Sequence, residues 1–185
     1  MSEPSNPQNP PVAPVLITGA TGFIGRRIQQ ALLNAGITIR IILRPGSSHG
    51  HHVDTRCEVV ESDLNNLNKL KQAVDGVNTV IYCAGSVRGR SLEDFLPANV
   101  DGVANILKAL SSCESEAQLL LISSLAASRP EISDYANSKY LGEQVLHKQV
   151  HTPWTILRPP AAGDRADRVR RSNREHVFQN LPEDR

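Results

Sequence analysis

The chain has 185 residues, 39% hydrophobic and 21% charged, with a net charge of +1. That is enough apolar material for one globular core, and too balanced a charge to make a general attractor for nucleic acid or an anionic membrane. Three widely spaced cysteines, Cys57, Cys83 and Cys113, form no CxxC pair, which excludes a disulfide framework or a thiolate zinc site and makes a reducing cytoplasm the expected setting.

Residues 1–13 read as a disordered leader, with five prolines between Ser2 and Pro14 among small polar residues. No apolar run approaches the roughly 18 residues of a membrane span, so no membrane partner is expected. The first strand is Val15-Leu16-Ile17-Thr18, and it breaks into Gly19-Ala20-Thr21-Gly22-Phe23-Ile24-Gly25. A buried strand that feeds a helix through three glycines at steps of three makes a seat for a pyrophosphate. The first N–H groups of the helix lack internal partners, and the helix dipole favours negative charge. Gly19 allows the tight turn, Gly22 lets the backbone approach the phosphates, and Gly25 lets helix and sheet pack closely. The spacing is GxxGxxG rather than GxGxxG, so a glycine-rich turn that binds nothing stays open as the alternative.

The following helix carries Ile28, Ala31, Leu32 and Ala35 at helical spacing and stops at Gly36. The second strand, Thr38 to Leu43, ends on Arg44-Pro45-Gly46. An arginine at that strand end suits the 2′-phosphate of NADP, whereas an acidic residue there would bond the 2′-hydroxyl of NAD; a solvated loop cation is the other reading of Arg44. His49, His51 and His52 lie in a polar loop with no carboxylate or thiolate at ligand spacing, so no metal site is expected. Cys57 to Glu61 reads as the third strand. Asp63 follows it, beside the expected adenine position and placed to cap a helix starting near Leu67. That helix runs to Val74, and the fourth strand, Asn78 to Cys83, runs into the small pair Ala84-Gly85, where a ligand can approach backbone.

Ser91 is expected to cap a long helix through Leu110, which Pro97 either kinks or starts. Asn99 and Asn105 fall off its apolar stripe of Val100, Val103, Ile106 and Leu107, where polar residues ordinarily face solvent. The fifth strand, Gln118 to Ser124, is apolar on both faces, as a central parallel strand must be, and carries Ser123 and Ser124 at its carboxyl end, the edge where parallel sheets bind ligands. Tyr135 and Lys139 stand at i and i+4 on the helix that follows, so phenol and ammonium share a face. Tyr-x-x-x-Lys is short enough to arise by chance; its place after a strand ending in serine gives it weight. Trp154 to Leu157 makes a sixth strand.

Thr18-Gly19-Ala20-Thr21-Gly22-Phe23-Ile24-Gly25, Asp63-Leu64, Asn99-x-x-Gly102-x-x-Asn105, Ile122-Ser123-Ser124, Tyr135-x-x-x-Lys139 and Leu157-Arg158-Pro159 occur in that order. As a set they resemble the extended short-chain dehydrogenase/reductases, the NAD(P)-dependent epimerases and dehydratases, over residues 13 to 164. The resemblance implies an α/β fold with a Rossmann-type doubly wound parallel sheet of about six strands, in the order 3-2-1-4-5-6. It implies a nicotinamide cofactor, NADP rather than NAD if Arg44 reads the phosphate, held by Gly19, Thr21, Gly22, Phe23, Ile24, Gly25, Arg44, Asp63, Leu64, Ala84 and Gly85 together with Tyr135 and Lys139. Ser124, Tyr135 and Lys139 are then the catalytic set, and Asn99 supports the lysine through a water. An isolated phenol is a poor base at neutral pH, and an ammonium beside it favours its ionised form. Tyr135 would then exchange a proton with a substrate alcohol or carbonyl while hydride moves between substrate carbon and nicotinamide, and Ser124 would hold the substrate oxygen.

The resemblance fades after Arg158-Pro159-Pro160. Residues 14–164 are expected to form the cofactor domain and 165–185 an atypical charged tail, with the substrate domain largely missing and the chain truncated. Two functions follow as expectations: an oxidoreductase or epimerase acting on a small carbonyl, alcohol or nucleotide sugar, or a dinucleotide-binding fragment without efficient turnover. The family pairing of long helices also implies a homodimer, through about Ser91–Leu110 and Ser133–Lys148.

Overall fold

The computed structural model describes residues 13–149 and 151–160. The leader expected over residues 1–12, residues 161–164 of the expected cofactor domain and the expected tail over 165–185 lie outside the described residues. Six strands, β1 (Val15–Thr18), β2 (Ile39–Leu43), β3 (Glu58–Glu61), β4 (Thr79–Tyr82), β5 (Gln118–Ile122) and β6 (Trp154–Leu157), form one sheet. Their order is β3-β2-β1-β4-β5-β6, and every neighbouring pair is parallel. This is the expected doubly wound Rossmann-type sheet.

Alternation along each strand divides the core into two layers. Leu16, Val80, Tyr82, Leu119 and Leu121 point to a cluster shared with α2 (Leu67–Val74), α3 (Gly102–Ser112) and α4 (Asp134–His147). Val15, Ile17, Ile39, Ile41, Ile81 and Ile122 point to the other face, under Ile24, Ile28 and Leu32 of α1 (Phe23–Asn34). The strand order reverses between β1 and β4, where Thr18 pairs with Tyr82, and this is where the chain beyond the strands opens a crevice.

Several expectations need correction. The apolar face of α1 runs through Ile24, Ile28, Leu32 and Leu33, while Ala31 and Ala35 are exposed; Gln29 is buried because its side chain donates to the His52 carbonyl and accepts from the Asp54 N–H. The helix expected from Ser91 is three pieces, since the proline ring at Pro97 cannot continue a regular helical ladder. A 3-10 turn spans Leu92–Asp94, a π-helical turn spans Pro97–Asp101, and only then does α3 begin. Asp63 does not cap α2. Asn66 does, accepting from the Lys69 N–H at 3.2 Å, while Asp63 folds the preceding turn by accepting from the N–H groups of Asn65 and Asn66. Among the described residues, no helix is long and apolar enough to cross a membrane.

Candidate active site

The crevice at the switch point is a cleft of about 400 Å³. Gly19, Thr21, Gly22, Arg44, Asp63, Leu64, Ala84 and Gly85 line it. These eight belong to the cofactor set expected from sequence. Thr18, Ser47, His49, Asn65 and Cys83 also line the cleft and carried no readable signal of their own.

The glycine turn is built for close approach. Gly19 has φ +67°, and a Cβ there would lie 2.6 Å from the Ala84 nitrogen, so only glycine lets β1 turn under the β4 exit. Gly22 begins α1 with no side-chain cap, and among the described residues no acceptor faces the N–H groups of Phe23, Ile24 and Gly25. A helix start left with free donors beside an open cleft fits a pyrophosphate. Phe23, Ile24 and Gly25 are absent from the cleft walls. Phe23 is half-exposed below the Arg27 guanidinium at 5.7 Å, Ile24 packs into the α1 layer, and Gly25 lies against the Gly19 backbone. Any role they have there is through backbone.

Ser124, Tyr135, Lys139 and Asn99 also stand outside the walls of the cleft. Asn99 and Lys139 stand behind Gly85, whose Cβ position is 2.9 Å from Asn99 Oδ1 and 3.9 Å from Lys139 Nζ. The Lys139 side chain is buried, and its Nζ donates to the Ile122 carbonyl at 3.0 Å. Burial holds its pKa down to about 8, against the opposing pull of Glu143 and of Cys83. Burial likewise pushes the Cys83 thiol up to about 12, so it is uncharged beside the ammonium. One turn before Lys139, the half-buried Tyr135 ring meets the Phe95 ring edge-on at 6.0 Å, and among the described residues no partner engages its hydroxyl.

The two serines at the end of β5 have different surroundings. Ser123 Oγ donates to Glu143 Oε1 at 2.5 Å. Ser124 Oγ accepts from the Ala126 N–H at 3.2 Å, starting the turn Leu125–Ser128, which leaves its own hydroxyl proton available.

Asn99 overturns the expectation that it faces solvent. It is 2% exposed; its Nδ2 donates to the Ser86 carbonyl and to Ser138 Oγ, and its Oδ1 accepts from the Ser86 N–H. Ser138 Oγ in turn donates to the Tyr135 carbonyl, so Asn99 ties the loop after Gly85 to the helix that carries Tyr135 and Lys139. Both amide protons are engaged, and only a second lone pair on Oδ1 remains for a water toward the lysine. Asn105 is also turned inward, its Nδ2 donating to the Leu64 carbonyl at 2.8 Å.

Glu143 was not singled out from sequence, and Arg158 was read only as part of the Leu157-Arg158-Pro159 motif, with no role. Glu143 is fully buried, and Arg158 binds it with two donors, Nε to Oε1 at 2.9 Å and Nη2 to Oε2 at 2.6 Å. Its position four residues after Lys139 was the readable signal. Among the described residues, no cluster of histidine, cysteine or carboxylate groups is arranged to hold a metal, and the His51 and His52 rings lie tilted at 52° with centres 3.9 Å apart.

A glycine turn at the switch point, free helix donors and a buried lysine behind the β4 exit define a dinucleotide-binding α/β protein. The chain belongs to the NAD(P)H-binding family, whose model matches residues 19–181. A ceramide reductase of Caulobacter vibrioides is 37% identical over 147 residues, 80% of this chain and 45% of that protein. A short-chain dehydrogenase/reductase superfamily protein from Agrobacterium tumefaciens, solved with bound NAD, superposes with a TM-score of 0.64 at 24% identity, over 78% of this chain and 48% of the other. The UDP-glucuronic acid 4-epimerase of Bacillus cereus, solved in complex with NAD, gives a TM-score of 0.67 at 22% identity, over 80% of this chain and 56% of the other. The chain thus spans about half the length of these relatives.

Proposed function

We propose that the chain is an NAD(P)-dependent oxidoreductase or epimerase that works through Ser124, Tyr135 and Lys139. The observation that carries this reading is the buried Lys139 ammonium, seated on the Ile122 carbonyl one helical turn from Tyr135 and beside Gly85, where the cofactor cleft meets α4. The nicotinamide, when bound, gives or takes the hydride. Tyr135 passes a proton to or from the substrate oxygen, favoured as a base by the neighbouring ammonium. Ser124 donates to the same oxygen and stabilises the charge that develops on it. Lys139 keeps two further donors for Tyr135 and the cofactor ribose. Arg44, on the wall beyond Leu43, favours NADP through its 2′-phosphate, with NAD as the weaker ligand.

The substrate class is a small carbonyl or alcohol, in keeping with the ceramide reductase, or a nucleotide sugar, in keeping with the epimerase. A homodimer through α3 and α4 belongs to the same reading, which the half-buried Tyr140, Leu141 and Gln144 on α4 support. Sedimentation showing only monomer at high concentration would remove it. The free thiols of Cys57, Cys83 and Cys113 support a reducing, cytoplasmic setting.

A second reading, dinucleotide binding without efficient turnover, is favoured by the position of Ser124, Tyr135 and Lys139 outside the walls of the cleft. Loss of NADPH absorbance across a panel of small carbonyl compounds separates the two. The enzyme reading expects slow reduction that disappears in Tyr135→Phe. Tight NADPH binding with no reduction of any compound would establish the second reading, and reduction unchanged in Tyr135→Phe would dismiss the catalytic set.

A further inference from the structure

Lys139 sits in a place that should strip its proton. Only 6% of the residue is exposed, and among the described residues its ammonium has a single acceptor, the Ile122 carbonyl. The charged and titratable groups around it are few. Tyr135 and Glu143 come from its own helix, a turn before and a turn after; Cys83 comes from the β4 exit; and Arg158, at the end of β6, stands behind Glu143. Asn99, on the remaining side, is neutral. Glu143 is therefore the one negative group among them at neutral pH, and it does not bond the lysine. Its oxygens are taken by Ser123 Oγ and by Nε and Nη2 of Arg158.

That arrangement solves two problems together. A carboxylate at i+4 from a lysine ordinarily closes a direct ion pair, which would draw Nζ away from the cofactor side. Three donors from β5 and β6 saturate this carboxylate, so its charge acts on Lys139 without capturing it. The guanidinium that neutralises it is half-exposed and screened by solvent, whereas the carboxylate is fully buried, so a net favourable field remains at the ammonium. We infer that Glu143, held by Ser123 and Arg158, is a positioning residue that keeps the Lys139 ammonium charged while leaving it seated on the Ile122 carbonyl. The inference rests on the reading that Lys139 serves Tyr135 and the cofactor. It makes the end of β6 part of the catalytic apparatus, through Arg158.

The test is a direct titration of Lys139 by NMR in the full chain, labelled with 13C at the lysine ε-carbons and assigned with Lys139→Arg. The wild-type midpoint is expected near 8. Glu143→Gln should lower it by about one unit, a tenfold loss of proton affinity, and Glu143→Asp should recover most of the shift. A merely structural role would do the opposite, since loosened packing admits water and raises a buried lysine toward its ordinary value. Should Glu143→Gln fail to fold, Glu143→Gln combined with Arg158→Gln replaces the ion pair with a neutral pair, a change that buried pairs often tolerate. Its midpoint should also fall, because the lost carboxylate is the nearer and less screened charge. An unchanged or raised midpoint in the folded variant overturns the inference. The titration needs neither substrate nor turnover, so a failure of the proposed reaction would show in the reduction assay and leave this result standing.

Discussion

Around β1 and β4 the carboxyl edge of the sheet presents mainly backbone: a positive-φ glycine, a helix start with free N–H groups and a second small turn at Ala84-Gly85. Around β5, β6 and α4 it presents side chains, all buried: Asn99 bonded to Ser138, Ser123 to Glu143, and Lys139 to the Ile122 carbonyl. Backbone donors suit a phosphate, whose charge asks for close approach more than for selectivity. Buried polar side chains suit proton transfer, where one group must hold one charge at one position, and burying them without partners would cost several kcal/mol. The two halves should therefore fail independently, and each prediction below perturbs one while watching the other.

The largest effect is expected at Tyr135. If Tyr135 is the proton carrier proposed above, Tyr135→Phe should lower the reduction rate by about 10²- to 10⁴-fold, with NADPH affinity unchanged; a parallel loss of affinity would mean that the two halves are not separable.

Next is the cost of the buried ammonium. Lys139 titrates near 8 in the folded chain, against its ordinary value of 10.5. Between those values the unfolded chain still carries the proton that the folded chain has released. The Lys139 contribution to stability therefore rises with pH across that window, by about 3 kcal/mol in total, and is flat below it, while the raised Cys83 thiol acts in the opposite sense above its ordinary value, equally in wild type and in a Lys139 variant. Lys139→Met should abolish the rise and stabilise the fold at pH 7 by up to about 3 kcal/mol. Thermal or urea unfolding of both proteins from pH 7 to 10.5 measures this, and parallel curves would contradict the burial assigned to Lys139.

On the other side of the sheet, Arg44→Asp should lower the preference for NADP over NAD by about tenfold, equivalent to one charge-assisted hydrogen bond of about 1.4 kcal/mol. An unchanged ratio of dissociation constants would remove Arg44 from the site. The smallest effect is a control: Asn66→Ala deletes the α2 cap and should cost about 1 kcal/mol of stability, without altering cofactor affinity or turnover.

The same division governs what the sequence disclosed. The backbone-built half could be read directly, because glycine spacing and β-branched runs are local signals, and six strands with α2 and α4 lie within a residue or two of where those signals end. Asn99 could not be read. Regular helical spacing puts it off the apolar stripe, but the π-helical turn at Pro97–Asp101 inserts an extra residue per turn and rotates its amide inward. Glu143 offered only its spacing of four residues from Lys139, since a charged residue is read as surface unless its partners are known, and Arg158 and Ser123 lie 15 and 20 residues away in sequence. Asp63 and Asn66 were both chemically able to cap α2, and only the turn between them decides which does.

The central claim, that the glycine turn seats a dinucleotide, is tested most directly at Gly22. Its φ of −76° is open to any residue, and a Cβ there would lie 3.3 Å from the Gly19 carbonyl oxygen, a tight contact relieved by a shift of a few tenths of an ångström, so Gly22→Val, its fold checked by circular dichroism, should fill the phosphate side of the cleft. Calorimetric titration of NADPH into wild type and Gly22→Val is the measurement. Saturable binding to wild type with none detectable in the folded variant is the predicted result, and equal affinity in the two proteins would contradict it.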